Sequence, residues 1–306
     1  ARERHFGRAA EACFVSQPTL SVAIRKLEDE LGVTLFERGG TEVGVTPIGQ
    51  RVVAQAQKVL EESASIKEIA RQGHDPLAGA LRVGVIHTVG PYLLPRLVPA
   101  QIERTPQMPL VLQENFTVRL LELLRQGEID CAIMALPLPE AGLVMQPLYD
   151  EPFIVAVPHD HELANVKAID AQDLKKQNML LLGTGHCFRD QVLEVCPELS
   201  RFSAATDGIQ RTFEGSSLET IRHMVAAGIG VTVLPITAVP EASANAATGK
   251  NLLRYIPFAG QVPDRRIVLA WRRSFPRLAA VEALAQTVYA CGLPHVKMLS
   301  DEPVCA

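Results

Sequence analysis

Residues 7–31 read GRAAEACFVSQPTLSVAIRKLEDEL, and this stretch decides how the chain begins to fold. Gly7 to Cys13 is short and Ala-rich, with Ala9, Ala10 and Cys13 spaced for one buried face. Phe14-Val15-Ser16 then makes a tight turn. Ser16 is a natural N-cap, and Pro18 falls in the first helical turn, where its missing N–H costs nothing. Leu20, Ile24, Leu27 and Leu31 follow at helical spacing as one apolar stripe. The other face carries Pro18, Val22 and Arg25. Two short helices of this kind fit a helix-turn-helix, whose second helix enters the DNA major groove. Thr19 and Ser21 are small enough to approach bases closely, and Arg25 can reach a guanine edge or a phosphate. The candidate DNA-contacting set is Ser16, Gln17, Pro18, Thr19, Ser21, Val22 and Arg25. The same periodicity also fits an amphipathic helical pair inside a larger core.

Outward from this stretch, Leu35–Arg38 and Val43–Val45 flank Gly39-Gly40-Thr41-Glu42, which predicts a hairpin of the winged-helix kind. Thr46-Pro47 supplies an N-cap and a first-turn proline for a long helix to about Gln72. Along it Val52, Ala56, Val59, Ser63, Ile66 and Ala70 follow a 4-3-4-3-4 spacing. A seam that narrow and weakly apolar is expected to pair with a second copy. Such a dimer would set two recognition helices one DNA turn apart.

The chain has 306 residues, enough for more than one domain, and 47% of them are hydrophobic. Net charge is −4, and residues 1–60 hold eight Lys/Arg against seven Asp/Glu, so charge gives no support to nucleic-acid binding. The DNA-binding reading rests on the motif. No apolar run approaches the ~20 residues that cross a bilayer, and no secretory segment opens the chain. The cysteines, at 13, 131, 187, 196, 291 and 305, are sparse and lack zinc-ligand spacing. The expectations are a cytoplasmic protein with no membrane partner, no metal and no cofactor.

After the breaker-rich GHDPLAG at 73–79, strands and helices alternate. Strands are expected at Leu81–Ile86, Leu110–Gln113 and Cys131–Ala135, with helices through Leu93–Leu97 and Leu120–Leu124. That order predicts a parallel α/β sheet. A second set includes Pro152–Val157, Met179–Leu182 and Gly230–Leu234. A strand at Ile267–Trp271 and a helix near Leu278–Cys291 return to the first lobe. The expected fold class is α/β multidomain: a winged helix-turn-helix over 1–46, a linker helix over 47–73 and a two-lobed effector domain over 74–306. Lobe I takes 79–150 plus 270–306, and lobe II takes 151–269. A cleft between such lobes is where ligands tend to bind.

Residues 183–191, GTGHCFRDQ, carry the most chemistry. Gly183 and Gly185 mark a loop after a strand, and Arg189 to Val195 can form a helix. Cys187 then lies near that helix's N-terminus, where free N–H groups and the helix dipole favour a thiolate. His186 and Arg189 add positive charge. A loop cysteine is more often an inert small residue, and that reading is accepted for Cys13, Cys131 and Cys291. Cys305, near the C-terminus, is uninformative. Catalysis by Cys187 with His186 as base is disfavoured, because adjacent residues rarely give the needed geometry. No enzyme activity is expected.

The run AAEACFVSQPTLSVAIRKLEDELGVTLFER at 9–38, followed by VTPIG at 45–49, resembles the N-terminal signature of LysR-type transcriptional regulators. GGTEVG departs from the more basic wings of that family, and the family's first helix would start upstream of Ala1. The resemblance extends over essentially the whole chain. It implies an effector domain similar to type 2 solute-binding proteins. GHCFRDQ, the nine-residue spacing to Cys196 and SLETIRHMVAAGIGVTVLP at 217–235 further resemble the peroxide-sensing regulators of the family. This implies a peroxidatic Cys187 and a resolving Cys196. Thr88, Thr117, His186 and Arg266 would surround the peroxide or the thiolate, although each threonine could equally be a helix N-cap. The implied partners are promoter DNA, hydrogen peroxide as signal, RNA polymerase and a homotetramer built as a dimer of dimers, which would activate antioxidant genes. The alternative is a regulator answering to a small metabolite in the same cleft. If the stretch between the two cysteines is helical it measures ~13 Å, whereas a disulfide holds Cα atoms ~5.5 Å apart. Joining them must unwind or fold back that helix.

Overall fold

The computed structural model describes residues 1–37, 43–72, 75, 77–138, 142–196, 217–240 and 252–300. The chain divides into two compact units, residues 1–70 and 71–306.

In the first unit, α1 (Phe6–Ala12) is capped by His5, whose Nδ1 accepts from the N–H groups of Gly7 and Arg8. A turn through Phe14, at φ 56°, leads into α2 (Gln17–Leu31). Ser16 caps α2, accepting from the Thr19 N–H at 3.3 Å, and Pro18 lies in the first turn as expected. Gly32, at φ 66°, ends α2 in the left-handed conformation that favours glycine. Glu28 ties this helix to the following strand by accepting from the backbone N–H of Leu35 and Phe36 at 2.7 and 3.1 Å. The strands β1 (Phe36–Glu37) and β2 (Gly44–Val45) pair antiparallel, and the expected tip between them lies outside the described residues.

Thr46 accepts from the Gly49 N–H at 2.9 Å and starts α3 (Pro47–Gln72). A Cβ at Gly49 would sit 2.2 Å from the Leu35 carbonyl oxygen, so α3 begins hard against the wing strand and requires glycine there. The small core of this unit holds Ala10, Leu35 and Phe36. Two expectations change. Cys13 is exposed, because it caps the end of α1 and lies past its buried face. The stripe of α2 contributes no buried side chain, and Leu27 and Leu31 are exposed. On α3, Val59 and Ile66 are likewise exposed.

In the second unit, β3 (Leu81–Ile86) pairs parallel with β4 (Leu110–Asn115) and β5 (Cys131–Ala135). Helices α4 (Gly90–Arg104) and α5 (Thr117–Arg125) form the crossovers. The sheet is mixed rather than parallel, which corrects the sequence reading. β9 (Asp264–Arg272) inserts antiparallel between β5 and β6 (Leu143–Pro158), and β10 (Lys297–Met298) pairs antiparallel with β6.

β6 is one 16-residue strand, where the sequence suggested a strand starting at Pro152. Its first part pairs with β9, and residues from Phe153 onward pair with β7 (Thr232–Pro235) and β8 (Leu253–Pro257). A long strand buried along most of its length can serve both lobes, and the two crossing strands β6 and β9 join them. The expected strand at Met179–Leu182 is reduced to an isolated bridge between Met179 and Val231.

Two hydrophobic cores result. The first collects side chains from β3, β5, α4, α5 and α8 (Leu278–Ala290), with Ile267, Leu269 and Trp271 of β9. The second is built on Phe153 to Val157 of β6, on α6 (Cys187–Val195) and on α7 (Leu218–Ala226). No helix among the described residues is long and apolar enough to cross a membrane.

Candidate functional site

Three chain segments converge at one pocket, each at the point where a strand or loop gives way to a helix. They are His87 and Thr88 after β3, Asn115 to Thr117 at the start of α5, and Gly185 to Cys187 at the start of α6. Gly185 turns the chain at φ 96°, and His186, the N-cap residue, is in extended conformation. Cys187 is therefore the first residue of α6, which begins two residues before the Arg189 start that the sequence suggested. The sulfur thus belongs to the first turn of a helix, the end that carries the positive pole of its dipole. Its side chain is partly buried and packs against the first core.

The pocket offers about 10 Å³ to the centre of a water-sized molecule, which is space for roughly one such molecule. Two hydroxyls line it. Thr88 is buried, and its Oγ1 accepts from Arg265 Nη1 at 2.8 Å while its carbonyl accepts from Nη2 at 3.0 Å. Thr117 Oγ1 is buried and has no hydrogen-bond partner among the described residues. Neither hydroxyl caps a helix: Val89 and Phe116 occupy the N-cap positions of α4 and α5, and neither makes a side-chain cap bond. A buried hydroxyl with an open valence can donate to a small ligand or to an oxygen leaving it. The imidazole of His186, itself buried, meets the Phe116 ring edge-to-face at 4.8 Å and His87 at 5.8 Å, and His87 meets Phe116 at 5.2 Å.

The two arginines of β9 diverge. Arg266 turns to Asp150, with bonds of 2.8 and 3.0 Å, and is about one-third exposed. The arginine that bonds a pocket residue is its neighbour. Arg265 is fully buried, pairs with Glu151 at 2.6 Å, holds Thr88 and lies 4.9 Å over the Phe188 ring of α6. Thr237 donates a further bond to Glu151. Sequence reasoning missed Arg265, and it also missed Phe116, His87 and Asn115, none of which carries a motif of its own.

Cys196 caps the far end of α6, and both cysteines are free thiols. α6 is continuous between them, so at 1.5 Å per residue the Cα atoms lie ~13 Å apart. Cys196 is buried in the second core, its Sγ 3.9 Å from the Ala171 carbonyl. Burial pushes its thiol up, Asp170 adds to the rise and Lys175 opposes it. Residues 197–216, which follow it, lie outside the described residues.

In the first unit, Gln17, Pro18, Thr19, Val22 and Arg25 are exposed along α2, and Ser21 is partly exposed. Ser16 is engaged locally, bonding the Thr19 hydroxyl at 2.7 Å in addition to its cap bond. Among the described residues no group of His, Cys, Asp and Glu could hold a metal ion.

Comparison with known proteins fits both units. The bacterial regulatory helix-turn-helix profile of the lysR family matches residues 1–50, and the LysR substrate binding domain profile matches residues 74–290. The DNA-binding transcriptional dual regulator OxyR of Escherichia coli K12 is 42% identical over 290 residues, 95% of this chain and 92% of that protein. The structure of a full-length OxyR from Pseudomonas aeruginosa, carrying a cysteine-to-aspartate substitution, has a TM-score of 0.77 at 50% identity, covering 98% of this chain and 94% of that one. That of an H2O2-bound cysteine-to-serine mutant of Corynebacterium glutamicum OxyR has a TM-score of 0.65 at 35% identity, covering 95% and 88%. The chain belongs to the LysR family of bacterial helix-turn-helix regulators.

Proposed function

We propose that this protein is a hydrogen-peroxide-sensing transcription regulator in which Cys187 is oxidised by peroxide and Cys196 resolves the product. The observation that carries the reading is the cysteine at the first position of α6, set in a pocket for one very small molecule with the hydroxyls of Thr88 and Thr117 beside it. The H2O2-bound relative supports it. The size of this pocket argues against a metabolite as its ligand.

In the proposed reaction the Cys187 thiolate attacks one peroxide oxygen. The S–O bond forms, the O–O bond breaks, and sulfur loses two electrons. The other oxygen leaves as hydroxide and takes up a proton, and in this reading the unpartnered Thr117 hydroxyl donates a hydrogen bond to it. Arg265 holds Thr88 in place. The sulfenic acid then condenses with the Cys196 thiol, releasing water and forming the disulfide. Because α6 keeps the sulfurs apart, this last step must open it.

Residues 1–46 are read as the DNA-binding domain, with Ser16, Gln17, Pro18, Thr19, Ser21, Val22 and Arg25 facing promoter DNA. Residues 47–73 are read as a pairing helix and 74–306 as the sensor, in lobes of 79–150 plus 270–306 and of 151–269. Assembly as a tetramer through α3 and the sensor units, and contact with RNA polymerase, complete the proposal. The test is disulfide mapping of the full-length protein before and after brief stoichiometric peroxide. A Cys187–Cys196 bond, lost in Cys187→Ser together with promoter induction by peroxide, is the expected result. Both thiols free after treatment, or full induction by Cys187→Ser, would overturn the reading.

A further inference from the structure

We propose that Phe116 is the size filter of the peroxide pocket, admitting hydrogen peroxide and excluding alkyl hydroperoxides. This rests on the peroxide-sensing reading above and assigns its selectivity to one side chain. The inner part of the pocket wall is fixed. Ile86, Thr88 and His186 are buried, and Thr88 is held by the doubly bonded Arg265. Among the residues lining the pocket, the exposed ones are Phe116 and Gly185. They stand face to face: a Cβ built on Gly185 would lie 3.4 Å from Phe116 Cδ1. The mouth therefore lies between an aromatic ring and a residue that has no side chain, held at φ 96°, where a larger residue is strained. The ring itself is seated edge-to-face on His186 and His87 at 4.8 and 5.2 Å.

The pocket behind this mouth has room for about one water-sized molecule. An alkyl hydroperoxide reacts by the same two-electron step, its leaving oxygen departing as alkoxide and taking a proton to become the alcohol. That oxygen carries carbon atoms, which the enclosed space does not accommodate while the Phe116 ring is in place. Hydrogen peroxide carries only hydrogen there. Moving or removing the ring is the change that opens the site, because Phe116 is the exposed side chain at its mouth.

The experiment uses reduced full-length protein and two probes, hydrogen peroxide and tert-butyl hydroperoxide. The rate of Cys187 oxidation is followed by rapid quench and mass spectrometry in wild type, Phe116→Ala and Phe116→Leu. Wild type is expected to prefer hydrogen peroxide strongly. Phe116→Ala should raise the ratio of the tert-butyl hydroperoxide rate to the hydrogen peroxide rate about tenfold or more, the scale on which a few carbon atoms discriminate in an apolar pocket. Phe116→Leu should shift the ratio in the same direction by a smaller factor, and it carries the test if the alanine variant does not fold. An unchanged ratio, or equal slowing by both peroxides, would assign Phe116 to packing alone and overturn the filter while leaving the sensor reading intact. A wild-type Cys187 that hydrogen peroxide does not oxidise would remove both.

Discussion

The residue that begins α6 and the residue that caps its end are both cysteines, and they meet opposite surroundings. Cys187 is partly buried against the first lobe's core, at a pocket with an opening to solvent. Cys196 belongs to the second lobe's core, where burial pushes its thiol pKa up. Between them Phe188 and Val192 anchor the helix in that second core. In the proposed reaction, then, the attacking sulfur is accessible from the start and the resolving sulfur is stored away from it. Bond formation and structural change are therefore one event. Cys196 cannot arrive at Cys187 unless α6 unwinds and apolar side chains leave their core. On this proposal, a peroxide signal at one pocket would become a rearrangement of the lobe that contains α6.

The first way to break this contrast is at Arg265, which holds Thr88 and lies over Phe188 in the first turn of α6. Arg265→Met removes the partner of the buried Glu151 and the donor to Thr88. A buried charge left unpaired costs ~3–5 kcal/mol, so chemical denaturation should show a stability loss of this order, and Cys187 oxidation by peroxide should slow as Thr88 loses its support. A variant as stable as wild type would mean that the pair is dispensable.

A smaller effect sharpens the difference between the ends. Phe188→Leu keeps an apolar side chain but loses the edge-to-face contact with Phe153 at 5.0 Å and the stacking under Arg265. The expected cost is ~1 kcal/mol. Disulfide closure, measured after sulfenic acid has formed, should accelerate, because one anchor of α6 is weaker. An unchanged closure rate would place the opening elsewhere than at this turn.

The smallest effect is in pH. In the Cys187→Ser protein, site-resolved alkylation of Cys196 should reach its half-maximal rate at a higher pH than an ordinary thiol, whose midpoint is near ~8.5. The sign for stability follows from linkage. The folded thiol holds its proton to higher pH than the unfolded one, so its contribution is complete below the ordinary thiol range and declines as pH rises through the folded value. A Cys196 that titrates like an exposed thiol would mean that it is not stored in the core.

Much of the local architecture was legible in residues alone. Ser16 and Pro18 mark the start of α2, Thr46-Pro47 the start of α3, and Gly185 followed by helix-forming residues the start of α6, because caps and turns depend on one residue's own side chain or φ. The strands β3 and β5 were readable as short apolar runs. The mixed sheet was not, since the direction of β9 depends on where a strand more than a hundred residues downstream inserts.

The two arginines show the limit most clearly. Arg265 and Arg266 are adjacent, and on a strand adjacent side chains point to opposite faces. Alternation could not choose between them, because Ile267, Val268, Leu269 and Ala270 are all buried and both faces of β9 look alike in sequence. The choice is made by register: Glu151 lies opposite Arg265 and Asp150 opposite Arg266. Phe116 had no signal for a similar reason, since its place over the pocket depends on a loop some seventy residues away in sequence. The sequence by itself determined the helix-turn-helix, the caps and the cysteine at the start of α6, all properties of neighbouring residues. Tertiary structure alone decided which arginine supports the pocket, what closes its mouth and which core holds each sulfur, because those depend on groups that only folding brings together.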